Sequence, residues 1–296
     1  MRRSTAFDDP LWRWLTLAPA LTILGLSTLV PIADLLVMSV HEIVWRGGES
    51  QWRFIGAANY AALTHDQLFG AGVINTMLFA VVGVSVQMVL GFFLALFTSR
   101  SVRGQIAYRT VFLLPILMPG IVIGAIWKLM YNADFGVINQ ATGLIGITPR
   151  DWLGEPSLAL ASVIAVDVWH WTPFCFLLLL AGLESLPQDV YEAVRVDGAS
   201  PWQELVYITL PMMMPTIVVT LVFRLIVAFK VFDEVYLLTG GGPGTSTEVL
   251  SFSIYRRFFT EDRAGYGSAL AIITLFTMAL AIVLAVTALQ RRRAIA

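Results

Sequence analysis

Charge is scarce in this chain. Asp, Glu, Lys and Arg make up 13% of its 296 residues, about half their share in an average globular protein. A soluble fold of this length would lack the polar surface to stay dispersed. The formal net charge is −1, and the only basic block is residues 291–293, so nucleic acid is excluded as a partner. The single cysteine, Cys175, excludes an internal disulfide and a cysteine-cluster metal site. Three histidines, His41, His65 and His170, form no H-E-x-x-H, and no Ser/His/Asp arrangement is evident. The chain also lacks G-x-x-x-x-G-K-[ST], so it carries no phosphate cradle of its own. These absences argue against an enzyme.

Apolar residues are abundant, at 57%, with a mean hydropathy of +0.77. Six stretches are long and apolar enough to cross about 30 Å of hydrocarbon: residues 14–40, 71–98, 107–131, 158–183, 212–231 and 268–289. The strict alternation of a β-barrel is missing. The expectation is an all-α integral membrane protein with six transmembrane helices in a lipid bilayer. Arg2 and Arg3 precede the first apolar run, but the run is too long for a secretion signal and no small-x-small site follows it. A retained helix is expected.

Arginine placement sets the orientation. With six spans, one side holds Arg2, Arg3, Arg13, Arg100, Arg103, Arg109, Arg195, Arg291, Arg292 and Arg293. The other holds Arg46, Arg53, Arg150, Arg256, Arg257 and Arg263, dispersed over longer loops. Both termini, residues 1–13 and 291–296, are therefore expected in the cytoplasm. The outer loops (41–70, 132–157 and 232–267) carry aromatics such as Trp45, Trp52, Trp152 and Phe259, which suit either the headgroup zone or an external protein.

One inner loop, about 184–211, is longer than a connection needs and reads as a helix–turn–helix. Pro187 suits a first helical turn. Val190, Ala193 and Val194 share a face. Gly198 suits a left-handed cap. Ser200, Pro201 and Gln203 form a capping-box sequence that restarts the helix, and Pro211 and Pro215 mark the start of the fifth span. The loop is acidic: Glu184, Asp189, Glu192, Asp197 and Glu204 stand against Arg195 alone. Anionic lipid would repel it, so a protein dock is the better reading.

Within the spans, ionisable residues are costly and often functional. In the fourth, Asp167, His170, Trp171 and Phe174 share one helical face. This mixture of carboxylate, imidazole and aromatic rings suits a sugar. Alternatively, Asp167 forms a structural pair with His170, or with Arg224 or Lys230 of the fifth span. An ion-coupled carrier using Asp167 and His170 as a proton relay is the rival reading.

The loop carries a family resemblance. Glu192-Ala193-Val194, three residues, Gly198, nine residues, then Ile208-x-Leu210-Pro211 resembles the EAA signature of ABC-importer membrane subunits, departing only at Val194, where alanine is usual. Asn59-Tyr60, Phe135-Gly136-Val137-Ile138-Asn139 and Leu237-Leu238-Thr239-Gly240-Gly241-Gly242-Pro243 resemble the carbohydrate-uptake branch, the last being similar to the maltose-type first membrane subunit. The resemblance runs from about residue 12 to 290. It implies a permease domain over 14–290 in a bacterial or archaeal cytoplasmic membrane. It implies a second six-span permease subunit as heterodimer partner, two cytoplasmic ATPase subunits that bind ATP and Mg, and an extracytoplasmic solute-binding protein. The chain itself would hold no cofactor and no metal. Coupling to the ATPase would fall to Glu192, Ala193, Val194, Asp197, Gly198, Ala199, Ile208, Leu210 and Pro211. The substrate path would involve Asp167, His170, Trp171 and Phe174, with Arg224, Val227, Ala228 and Val231 as its other wall. Gly240, Gly241, Gly242 and Pro243 would meet the binding protein.

Overall fold

The computed structural model describes residues 10–99 and 105–295. Arg2, Arg3, Arg100 and Arg103, used above for orientation, lie outside the described residues. Two compact units are distinguished: residues 1–65 with 254–273, and residues 66–253 with 274–296.

The first unit begins with helix α1 (Pro10–Ser39). Its apolar stretch Trp14–Ser39 has none of its hydropathic window buried, so Ile23, Leu24 and Val30 stand open to the surroundings. Such a helix is stable only in an apolar solvent. A two-stranded antiparallel hairpin follows, β1 (His41–Arg46) and β2 (Glu49–Phe54). Its two-residue loop is Gly47-Gly48, with φ of +62° and +85°, the backbone that two-residue hairpins require and glycine supplies. The all-α expectation is corrected here, because this strand pair was not anticipated. Helix α2 (Ala58–Leu63) comes next. Asn59 donates to the carbonyls of Ser39 (2.8 Å) and His41 (3.1 Å), tying α2 to the end of α1.

The second unit opens with α3 (Gln67–Leu78), capped by the Asp66 carboxylate on the Leu68 N–H. A π-turn at Phe79–Gly83 joins it to α4 (Val84–Ser99). The expected third span, 107–131, is not one helix. It is divided into α5 (Gln105–Leu113), a 3₁₀ turn at Pro115–Leu117 and α6 (Gly120–Met130). The cause is local. Pro115 and Pro119 withhold two N–H groups, and Met118, directly before Pro119, is driven to extended backbone (φ −88°, ψ 136°). After α7 (Val137–Gly143), α8 (Pro156–Glu184) runs unbroken through Pro173. Next come α9 (Gln188–Val196) and α10 (Pro201–Gln203), a π-segment at Glu204–Thr209, and α11 (Leu210–Phe229). The short α12 (Asp233–Leu238) and α13 (Leu250–Tyr255) precede α14 (Ala264–Ile295). Among the described residues, five helical stretches are long and apolar enough to span a membrane, and α6 is a shorter apolar helix.

In the second unit, α4, α8 and α11 pack around two apolar clusters. Phe79, Val84, Val163, Val166, Leu225 and Phe229 lie in one. Ala95, Cys175, Phe176, Leu179 and Met213 lie in the other. Close approach between helices is made possible by glycine, as in membrane bundles. A Cβ on Gly91 of α4 would fall 2.7 Å from Cys175 Cβ of α8, and one on Gly182 of α8 would fall 2.7 Å from Thr216 Cγ2 of α11.

Candidate functional site

Along each of the three packed helices, one buried polar stretch separates the two apolar clusters. Gln87 lies between Val84 and Ala95, Asp167 and His170 between Val166 and Cys175, and Arg224 between Met213 and Leu225. These side chains find each other. Arg224 Nη2 donates to Asp167 Oδ2 at 3.0 Å, and its Nε donates to Gln87 Oε1 at 2.7 Å. Gln87 Nε2 in turn donates to Asp167 Oδ2 at 2.7 Å and to the Asp167 carbonyl at 3.0 Å. The Arg224 side chain is 0% exposed and that of Asp167 3%. The Trp171 ring covers the guanidinium, with Arg224 Cζ 4.8 Å from its centroid. An apolar interior holds an ion pair best when the remaining hydrogen-bonding groups are met; Gln87 meets Arg224 Nε and Asp167 Oδ2 from a third helix, while Arg224 Nη1 is buried without a hydrogen-bond partner.

Of the pairings open from sequence, the structure makes Asp167–Arg224. His170 is engaged elsewhere: its Nδ1 lies 3.0 Å from Glu234 Oε1, both side chains being buried. Glu234 sits in the first turn of α12, so this contact joins α8 to the segment after α11. Sequence reasoning missed both Gln87 and Glu234. Gln87 was visible as a lone amide within an apolar run. Glu234 stands beside Asp233 outside the fifth span, where a carboxylate looks unremarkable.

A cavity of about 300 Å³ opens beside this network. Asp167, His170, Trp171, Val227 and Val231 line it, together with Gly120, Ile226, Lys230, Phe232, Asp233 and Glu234. Three expected path residues are placed differently. Arg224 is sealed beneath Asp167 and Trp171, Ala228 is buried in the apolar cluster, and Phe174 packs edge-on against Trp171 and Phe223. The cavity therefore offers carboxylates, an imidazole, an ammonium group and an indole to a polar solute. No group of metal-ligating side chains occurs among the described residues.

The second candidate site is the loop after α8. Helix α9 starts at Pro187, which is its N-cap (ψ 128°) rather than a first-turn residue. Asp189 in its first turn and Arg195 in its last complement the helix dipole. The helix ends as a Schellman motif. Gly198 has φ +75°, its N–H bonds the Arg195 carbonyl, and the Ala199 N–H bonds that of Val194. The Ser200–Gln203 capping box is complete, with Pro201 in the first turn. Glu192, Ala193, Asp197, Gly198 and Pro211 are exposed, whereas Val194, Ala199, Ile208 and Leu210 are half-buried. Val196 (87% exposed) and Trp202 (70%) add apolar surface that the motif alone did not indicate.

The glycine run forms a third feature. Gly240, Gly241 and Gly244 have φ of +59°, +85° and +61°, and the Gly242–Pro243 peptide is cis. The Thr247 hydroxyl donates to the Gly242 carbonyl (2.8 Å), and Asn75 of α3 donates to the carbonyls of Thr245 and Glu248. The turn is thus fixed to the helical bundle rather than free.

Residues 87–295 match the family described as the binding-protein-dependent transport system inner membrane component. The trehalose/maltose transport system permease protein MalF of Thermococcus litoralis is 37% identical over 88% of this chain and 88% of its own length. The sulfoquinovosyl glycerol transport system permease protein SmoG of Agrobacterium fabrum is 36% identical over 90% of this chain and 86% of its own. Among solved structures, a chain of a bacterial ABC transporter that imports the acidic polysaccharide alginate superposes with a TM-score of 0.80. It is 26% identical, and the match covers 96% of this chain and 99% of that one. A second structure of a bacterial alginate transporter, in complex with a periplasmic protein bound to alginate pentasaccharide, matches equally well. The chain belongs to the inner-membrane permease components of binding-protein-dependent ABC transport systems, and is a transport subunit rather than an enzyme.

Proposed function

We propose that this chain forms half of the translocation path of an ATP-driven importer for a sugar or sugar-like solute. It crosses the cytoplasmic membrane six times with both termini inside, the third crossing being broken at residues 114–119. The loop 184–211 docks on a cytoplasmic ATPase. The observation that carries this reading is the loop itself: a doubly capped helix–turn–helix with an exposed Glu192, in a chain whose family works with binding proteins. In the dock, Glu192 pairs with a basic group of the ATPase, and Ala193 and Val194 pack shallowly into its cleft. Gly198 supplies the tight turn. Gly240 to Pro243 face the solute-binding protein.

A saccharide is supported by the names of three similar proteins, which mention trehalose/maltose, sulfoquinovosyl glycerol and alginate. In the path, His170, Glu234, Trp171, Lys230 and Asp233 present hydrogen-bonding groups and one ring face. Asp167 on the cavity wall and Arg224 one layer behind it form the pair that holds α8 and α11 in register. The ion-coupled reading loses its relay, because Asp167 is held by Arg224 and Gln87 rather than by His170.

The test is a pair of loop variants in the assembled transporter. Gly198→Asp and Glu192→Lys are expected to abolish ATP-dependent uptake while the chain stays in the membrane at normal level. Normal uptake by both would refute the assignment of the loop.

A further inference from the structure

The two arms of the loop are joined by contacts that lie outside the EAA signature. Tyr191, the residue before Glu192, places its Oη 3.0 Å from Thr209 Oγ1. Thr209 is the variable position inside Ile208-x-Leu210-Pro211 and is 3% exposed. Its hydroxyl also donates to the Glu204 carbonyl at 3.2 Å. That donation uses the only hydroxyl proton of Thr209, so the Tyr191 O–H is the donor across the gap. The Glu204 carboxylate lies 3.7 Å from Arg195 Nε at the other end of α9. The loop thus has two ties from its first helix to the second arm, one part-buried at Tyr191 and one more exposed at Arg195.

The Tyr191–Thr209 tie spans a weak point of the helix. Pro211 and Pro215 withhold the N–H groups that would pair with the carbonyls of residues 207 and 211, and the helix preceding them is wound as a π-segment at Glu204–Thr209. A π-turn within an α-helix is rare and is a natural point of kinking. It lies between the turn at Gly198 and the span α11. Left alone, it would let the docked arm flex without moving the span. Tyr191 bridges it from the opposite arm.

We propose that Tyr191 and Thr209 are positioning residues that lock α9 to the π-wound base of α11, so that the helix–turn–helix moves as one body when the ATPase subunits close. This rests on the reading of the loop as the ATPase dock. With the tie intact, ATPase closure must drag the spans, and the spans resist it. Without the tie, the π-segment absorbs the motion, and closure is freed from the membrane.

The experiment measures ATP hydrolysis by the purified complex of this chain with its partner permease and ATPase subunits, in lipid nanodiscs, with no sugar and no binding protein. Tyr191→Phe and Thr209→Val are each expected to raise this basal rate about two- to tenfold, the range one lost hydrogen bond allows. Thr209→Ser keeps the hydroxyl and is expected to retain the wild-type rate. The double variant Tyr191→Phe/Thr209→Val is expected to match Thr209→Val alone, because Tyr191→Phe removes no bond that Thr209→Val leaves in place. A wild-type rate in both single variants, or an additive double variant, would overturn the proposal. Loss of the ATPase from complexes of both single variants would also overturn it, by giving the tie a role in docking instead. Glu192→Lys serves as the control for the underlying reading. If the ATPase stays bound and coupled in that variant, the loop is not the dock, a failure separate from that of the tie.

Discussion

Arg224 and Asp167 are the residues whose removal should disturb the bundle most. Breaking a buried pair leaves an uncompensated charge and costs about 3–5 kcal/mol, whereas replacing both partners by apolar residues is often close to neutral. Arg224→Met or Asp167→Leu alone is therefore expected to lower the melting temperature of the detergent-solubilised protein markedly. The double variant should recover most of the loss. Equal destabilisation by the single and double variants would mean that the pair is not the unit. A different outcome is expected one layer away. Glu234→Gln keeps the volume but removes the negative charge facing His170, so it should raise the sugar concentration for half-maximal uptake with little change in melting temperature. The sequence made Asp167, His170 and Arg224 visible because charges within apolar runs are rare. It left the partners of each open, since helical spacing reports which residues share a face and not which face meets which helix. Gln87 and Glu234 complete the network from two other elements, and nothing local to them reveals it.

At the scale of elements, the helix ends and the close crossings are the most exposed to substitution. Ser200→Ala removes the side-chain acceptor of the capping box and is expected to cost about 1 kcal/mol of local stability. Faster amide exchange over residues 201–205 would register it. Gly91→Leu would drive a side chain into the α8 backbone at Cys175 and Phe176 and should reduce the yield of folded protein severalfold, while Gly25→Leu, which meets nothing within 4 Å, should not. The loop 188–211 was legible in detail from sequence because Gly198, Ser200, Pro201 and Gln203 act locally. The hairpin was equally available: Gly47-Gly48 between HEIVWR and ESQWRF is a strong turn signal, masked by the reading of that stretch as a plain outer loop. The break in the expected third span was missed for the converse reason. Hydropathy sums over residues 107–131 and is blind to Pro115 and Pro119, which decide the backbone.

For the whole molecule, shortage of charge and the exposed apolar faces of α1 and α14 have one explanation, a lipid solvent. Among the described residues, charges gather in the paired layer at mid-bundle, in the cavity beside it and on the acidic loop. Family membership was legible from six of the seven fixed positions of one loop, while the identity of the sugar was not; in the proposed assembly a second permease chain and a binding protein share that task. The central claim is that this chain works as a subunit docked on an ATPase through 184–211. Affinity purification of the tagged full chain from its own membranes in mild detergent, with mass spectrometry of what accompanies it, tests this most directly. The account expects a second permease chain and an ATPase chain in stoichiometric amounts, with the ATPase alone lost from the Glu192→Lys variant. Recovery of the chain by itself, with no ATPase in the wild type, would contradict it.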